Sequence, residues 1–237
     1  MILAAGMATR LRPLTTDTPK CLLKIGDRSL LQRSMDGLID CGCKEFLIVT
    51  GFRHEKIEDF VHARYDGVAE VKFVHNELYA TTNNIYSLWL AVKEVGDEPI
   101  LLLDSDLLYD PQIITELLDC PDDNVLALIR HDLGPEEMKV VVDGNGRIEA
   151  ICKTCDPKTA VGESLGIEKM GKAYVSALKA ELKDMMTDEE LRNVFYEKAF
   201  ERLIVKGHSF KVKDVTEFRS MELDTVGDFE AAGRLFE

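Results

Sequence analysis

The chain has 237 residues, enough for one large α/β domain with a modest insertion. It is 46% hydrophobic and 30% charged, an ordinary core-forming balance, and its apolar runs end after a few residues, where a membrane span needs about 18. Its net charge of −14 repels nucleic acid and anionic membranes and argues against both as partners.

The elements alternate through the first half. A short apolar strand at Ile2–Ala4 runs into Gly6 and a long polar loop. No basic leader precedes it, so it does not read as a signal peptide. Helical spacing follows at residues 30–39, a strand at 45–50, a helix at 55–62, a strand at 70–74, a helix at 84–95 and a strand at 100–103. In the helix at 84–95, Ile85, Leu88, Trp89 and Val92 share an apolar face. This alternation predicts a Rossmann-like, mostly parallel but mixed sheet with helices on both faces.

Beyond Pro121 the pattern changes. Strands are predicted at 125–130, 138–142 and 147–152, the last two joined by the turn Asp143-Gly144-Asn145-Gly146. A strand at 164–169, helices at 172–186 and 194–205, a strand at 210–215 and a closing helix from Val226 complete the chain. No linker divides it. The expectation is a single domain over 1–237, with a nucleotide-binding half at 1–120 and an acceptor-binding half at 121–237 that carries a small acceptor-side insertion.

Cys152 and Cys155 form a lone C-x-x-C on a strand-like segment, without a second pair to complete a zinc site. They are read as unpaired thiols in a cytoplasmic protein.

The polar loop is the most informative stretch. Residues 1–34 carry six basic side chains (Arg10, Arg12, Lys20, Lys24, Arg28, Arg33) and two acidic ones, on a chain that is otherwise strongly acidic. Glycine after a strand allows close backbone approach to a ligand and tolerates unusual dihedrals, and exposed N–H groups beside cations suit phosphate. The spacing is neither GxxxxGK[ST] nor GxGxxG.

The segment LAAGMATRLRPLTTDTPKCLL resembles the signature of nucleotidyltransferases that make sugar nucleotides and CDP-alcohols. It matches at Leu3, Ala4, Ala5, Gly6, Arg10, Leu11, Pro13, Leu14, Thr15, Pro19, Lys20, Leu22 and, further on, Leu30. Members of that family carry a few more residues ahead of the first strand. The resemblance implies a nucleotide-diphospho-sugar transferase type of fold. It implies nucleotide contacts along Leu3, Ala4, Ala5, Gly6, Met7, Ala8 and Thr9. It also implies two catalytic cations, Arg10 on the β- and γ-phosphates and Lys20 on the α-phosphate. The plainer alternative is that both are surface cations.

In LLLDSDLLY, Asp104 and Asp106 stand at the end of a buried strand, where α/β sheets bind ligands, and would point the same way if the strand continued. In SMELDTVGDF, Glu222 and Asp224 precede the last helix. The resemblance implies that Asp106 and Asp224 hold Mg²⁺, the triphosphate and water completing its oxygen shell. Asp104 is assigned to nucleotide binding, with a loop hydrogen bond as its alternative. Helix capping is the alternative for Asp224. Glu222 either contacts the acceptor or orients a metal-bound water.

Asn83-Asn84-Ile85-Tyr86-Ser87 resembles the NNIYS segment of the phosphocholine cytidylyltransferase branch, which implies CTP as donor with Asn83, Asn84 and Ser87 at the nucleotide. An Asn amide offers donors and an acceptor to a pyrimidine edge, and equally caps a helix. Acceptor candidates are Lys139, Lys153, Glu163, Ser164, Tyr196, Glu197 and Glu222. Lys139 also fits a solvent-facing strand position. Tyr196 and Glu197 could hold an ammonium group by cation–π and charge attraction, unless Phe195 is core and Glu197 faces water.

The resemblance implies a Mg²⁺-dependent cytidylyltransferase acting with CTP on a small phosphorylated amino alcohol or aminoalkyl phosphonate, of the phosphocholine or 2-aminoethylphosphonate type. The partners are small molecules, with room for a homodimer. A sugar-1-phosphate or inositol-phosphate nucleotidyltransferase is the second reading. A non-catalytic nucleotide-binding regulatory subunit is the third.

Overall fold

The computed structural model describes residues 1–96 and 98–235. In chain order the elements are β1 (Ile2–Ala4), β2 (Lys24–Ile25), β3 (Arg28–Ser29), α1 (Leu30–Asp40), β4 (Glu45–Thr50), α2 (His54–Tyr65), β5 (Glu70–His75), α3 (Asn84–Val92), β6 (Ile100–Asp104), β7 (Leu107–Tyr109) and α4 (Gln112–Asp119). Then come β8 (Val125–Ile129), β9 (Lys139–Val142), β10 (Ile148–Cys152), β11 (Gly162–Met170), α5 (Lys172–Met185), α6 (Glu197–Val205), β12 (Lys211–Asp214), β13 (Ser220–Glu222) and α7 (Val226–Leu235). The chain forms two compact units, each built from separated stretches.

The first unit comprises Met1–Thr81, Asp104–Ile114 and Phe218–Glu237. Strands β1, β4 and β5 run parallel, with Ile2 opposite Ile48 and Glu45 opposite Glu70. β1 and most of β4 are buried, as expected for continuous apolar strands covered on both sides. Ser29 caps α1, its Oγ accepting from Gln32 N at 3.1 Å, and Leu30, Leu31, Met35 and Leu38 form the buried stripe. Just beyond β4, a Cβ on Gly51 would lie 2.6 Å from the Ala5 carbonyl oxygen, so only glycine lets the chain pass the end of β1. Two small ribbons complete this unit: β2 with β3, and β7 with β13. Ile25, Leu30, Leu108, Leu223 and Ala232 pack as one apolar cluster joining β2, α1, β7 and α7, with Met221 and Phe229 against it.

The second unit comprises Thr82–Leu103 and Thr115–Glu217. β11 is its hub, antiparallel to β6, β8 and β9, while β12 lies parallel to β8. The β9–β10 hairpin turns where predicted. Asp143 Oδ1 accepts from Asn145 N and Arg147 N, and Gly146 takes a positive φ of 72°. Tyr174, Tyr196, Phe200 and Phe210 form a buried aromatic group on α5, α6 and the start of β12.

The structure extends or corrects the sequence reading at four places. β6 ends at Asp104 rather than running through Asp106, which sits in the turn before β7. α4 had no counterpart in the sequence pattern read above. Cys152 and Cys155 are joined by a disulfide, because β10 ends at Cys152 and the chain turns back, leaving their Cα atoms 5.4 Å apart. The unusual dihedrals assigned to Gly6 belong instead to Ala8, which is left-handed at φ 45°, ψ 51°. A Cβ on Gly6 would meet no protein atom within 4 Å, so the open approach at that position stands.

Candidate active site

The site lies within the first unit and is assembled from three chain segments. Arg10 rides on a single 3₁₀ turn at Thr9–Leu11 and Lys20 on another at Lys20–Leu22. Each turn is pinned by a buried neighbour, Leu11 and Cys21 respectively. Thr15, itself buried, donates from Oγ1 to the Ala8 carbonyl at 2.7 Å and closes the loop between them. Leu3, Ala4 and Ala5 are buried, Met7 and Ala8 half-buried, and Gly6 and Thr9 exposed.

The two acids are brought together by the β7–β13 ribbon. Leu107 stands opposite Glu222, and Leu223 N donates to the Asp106 carbonyl at 3.1 Å. This register sets Asp106 beside Asp224. Lys20 Nζ then bridges them, 2.9 Å from Asp106 Oδ2 and 2.8 Å from Asp224 Oδ1. Arg10 Nη2 lies 2.5 Å from Asp224 Oδ2. Lys20 is mostly buried, at 11% side-chain exposure, whereas Arg10 is open, at 66%.

Burial pulls the Lys20 ammonium toward neutrality, but Asp106 and Asp224 outweigh it and raise its pKa above the ordinary lysine value. Burial likewise favours the neutral form of Asp224. Lys20 and then Arg10 outweigh that burial and hold its carboxyl below the usual range.

Capping does not account for Asp224. Thr225 Oγ1 accepts from Asp228 N at 3.2 Å, and Asp228 Oδ2 accepts in return from Thr225 N and Asp224 N. This reciprocal box opens α7 and leaves the Asp224 side chain to the cations.

Glu222 joins the same place. Asp106, Glu222 and Asp224 each bring a carboxylate oxygen within 4.8 Å of the others. Three hard oxygen donors around one point fit a Mg²⁺-type cation that takes its remaining ligands from phosphate and water. Asp104, one turn away at the end of β6, is half-buried and stands outside this triad.

The remaining candidates belong to the second unit. Asn83 caps α3, its Oδ1 accepting from Asn84 N at 2.8 Å, and its own N–H donates to the Arg192 carbonyl. Asn84 Oδ1 accepts from Tyr196 N at 2.9 Å, tying the start of α3 to the start of α6. Ser87 is buried on α3.

Lys139 is not solvent-facing. It is 1% exposed, and Nζ donates to the carbonyls of Lys153 at 2.7 Å and Glu137 at 3.2 Å, which makes burial of the ammonium tolerable. Lys153 Nζ lies 4.6 Å from the Phe195 ring centroid. Phe195 is 43% exposed and Glu197 7%, the reverse of the amphipathic alternative. Glu163 meets His131, Oε2 to Nε2 at 2.7 Å.

Ser164 approaches a residue the sequence reading did not single out. Its Oγ lies 3.4 Å from Oε1 of Glu168, which is completely buried. Alternation alone puts Ser164 and Glu168 on one strand face. Nothing in the string shows that the strand bulges between them.

With this geometry established, the chain was compared with known proteins. It is 35% identical over 107 residues to the choline-phosphate cytidylyltransferase of Streptococcus pneumoniae. It is 26% identical, across 96% of its length, to the CMP-5'-(3-aminopropyl)phosphonate synthase of Streptomyces rubellomurinus. These matches span less than half of either relative, 44% and 37%. The crystallised CTP:phosphocholine cytidylyltransferase LicC of S. pneumoniae superposes with a TM-score of 0.82 at 20% identity, covering 100% of this chain and 97% of that one. The fold is thus the mixed-sheet α/β fold of the nucleotide-diphospho-sugar transferases. Among the described residues no helix is long and apolar enough to cross a membrane. The MobA-like NTP transferase domain matches residues 1–202, and the chain belongs to that nucleotidyltransferase family.

Proposed function

We propose that this chain transfers CMP from CTP to a small phosphorylated amino alcohol or aminoalkyl phosphonate, releasing pyrophosphate. The carrying observation is the Lys20 bridge between Asp106 and Asp224, with Arg10 on the same carboxylate. Two cations and three acids at one point suit a reaction whose whole difficulty is bringing anions together. The names of the relatives above support cytidine as the base and an amine-bearing acceptor.

The acceptor's phosphate or phosphonate oxygen is already anionic and needs no side-chain nucleophile. It attacks the α-phosphorus in line as the bond to pyrophosphate breaks. Lys20 exchanges its carboxylate contacts for an α-phosphate oxygen and neutralises the charge that builds there. Arg10, released from Asp224, takes the β- and γ-phosphates. Asp106 and Asp224, with Glu222, are then free to hold Mg²⁺, which supplies charge neutralisation and a template for the triphosphate. The backbone from Gly6 to Thr9 lies along the phosphates.

The test is pyrophosphate release from each nucleotide with Mg²⁺ and a panel of phosphate and phosphonate acceptors. CTP with an amine-bearing acceptor is expected to lead. A sugar-1-phosphate or inositol phosphate leading would replace the acceptor. No release with any nucleotide would leave a nucleotide-binding regulatory protein.

A further inference from the structure

The loop that carries Arg10 and Lys20 is held by a second set of charges, which the reading above does not use. Asp17, three residues before Lys20, meets two cations from the start of α2. Arg53 Nη2 lies 2.5 Å from Asp17 Oδ1. Lys56 Nζ donates to the Asp17 carbonyl at 2.6 Å and also to Asp17 Oδ2. One residue of the loop is thus held through its main chain and its side chain together. A single exposed ion pair contributes little, but here three contacts converge and one of them fixes the backbone itself.

The other end of this grip is rigid. α2 buries Ile57, Val61 and Tyr65. Phe52 N donates to the Ala5 carbonyl at 3.1 Å, so the chain entering α2 is tied to the end of β1. Among the described residues two non-glycines take a positive φ, and both belong to this arrangement: Ala8 in the loop, and Arg53 at φ 51°, ψ 42°. A left-handed arginine is strained because its Cβ crowds the following carbonyl, and glycine would adopt that conformation freely. Strain of this kind persists where the surrounding structure needs the side chain in that place. What the turn delivers here is a guanidinium on Asp17.

In the proposed reaction Lys20 and Arg10 let go of Asp106 and Asp224 as metal and triphosphate arrive. The loop loses those anchors at the moment its lysine must be placed accurately, and an error of about 1 Å in such a group can cost about 100-fold in rate. The contacts to Asp17 take no part in that exchange. Resting on that reaction, we propose that Arg53 and Lys56 are positioning residues, which hold the loop through Asp17 while Lys20 passes from the carboxylates to the α-phosphate. Their effect on turnover runs through Lys20.

The experiment measures kcat and the KM for CTP, with Mg²⁺ and 2-aminoethylphosphonate, together with thermal midpoints of the full chain. Arg53→Gly should lower kcat by about 10- to 100-fold, while its midpoint holds or rises because glycine relieves the left-handed strain. Lys56→Gln should lower kcat alike, and Lys56→Arg, which keeps the charge and several donors, should restore most of it. The KM for CTP should change far less than kcat in each. In a Lys20→Ala background neither Arg53→Gly nor Lys56→Gln should lower kcat further, because residues acting as one unit are not additive. Full turnover in both variants, losses that multiply with that of Lys20→Ala, or a midpoint of Arg53→Gly that falls in step with its activity overturns the proposal and leaves the transferase reading standing.

Amide hydrogen exchange carries the test without turnover. Leu14 N donates to the Leu11 carbonyl at 2.9 Å and Thr16 N to the Pro13 carbonyl at 3.1 Å, so both amides report on the loop. Faster exchange of the two in Lys56→Gln is expected, and unchanged exchange overturns the anchoring. If the loop loosens in the variant but the wild type consumes no nucleotide, only the transferase reading fails.

Discussion

Lys20 Nζ and Asp224 Oδ1 lie 2.8 Å apart although 204 positions separate them in the chain. The contact is made by two rigid pieces: a 3₁₀ turn anchored by Cys21, and a three-residue strand held in register by β7. Lys20 thereby neutralises the carboxylates that a metal would otherwise neutralise. Binding of a metal–triphosphate complex is an exchange of partners rather than the filling of an uncharged pocket.

That exchange predicts an asymmetric defect for Lys20→Ala. Turnover should fall by roughly 10²- to 10³-fold, the usual cost of removing one transition-state donor, with a much smaller change in CTP affinity. Steady-state rates and calorimetry on the same preparation give the two numbers. Unchanged turnover would refute the role assigned to Lys20.

Asp224→Asn keeps the shape of the side chain and removes its charge. Activity and its dependence on Mg²⁺ concentration should be lost together. A fully active variant would remove Asp224 from the metal set.

The capping box separates helix stability from chemistry. Thr225→Ala should lower the unfolding free energy by about 1 kcal/mol, and Thr225→Ser should retain most of it. Urea midpoints measure both. Midpoints that do not move would show that Thr225 and Asp228 contribute nothing to α7.

Glu197 gives a pH signature. Its folded pKa of about 7 lies above the ordinary 4.5, so the folded state binds that proton more tightly than the unfolded chain does. The resulting stabilisation is complete below about pH 4.5 and is lost as pH rises through about 7. Relative to Glu197→Gln, the wild type should lose roughly 3 kcal/mol across that window. Parallel stability curves for the two proteins would contradict the burial argument.

Much of this site was legible in the sequence because its parts are local and chemically unusual. Arg10 and Lys20 stand in a patterned loop, β1 and β4 announce themselves as apolar runs, and β5 as an alternating one. The meeting of Asp106 with Asp224 depended on family resemblance, since β7 and β13 have three residues each and carry no periodicity of their own. Lys139 looked solvent-exposed because its burial depends on two carbonyls from other positions, which no residue type reveals. The disulfide depended on where β10 stops. Glu168 was hidden by a bulge that changes which side chains meet without changing the alternation of the string.

The central claim is that Asp106 and Asp224 converge on one divalent ion beside a triphosphate. Mn²⁺ titration in the presence of CTP, followed by water-proton relaxation, tests it most directly. The wild type should show one tight Mn²⁺ site that requires CTP, and Asp106→Asn with Asp224→Asn should abolish it. Equal Mn²⁺ binding by the wild type and the double variant would contradict the account.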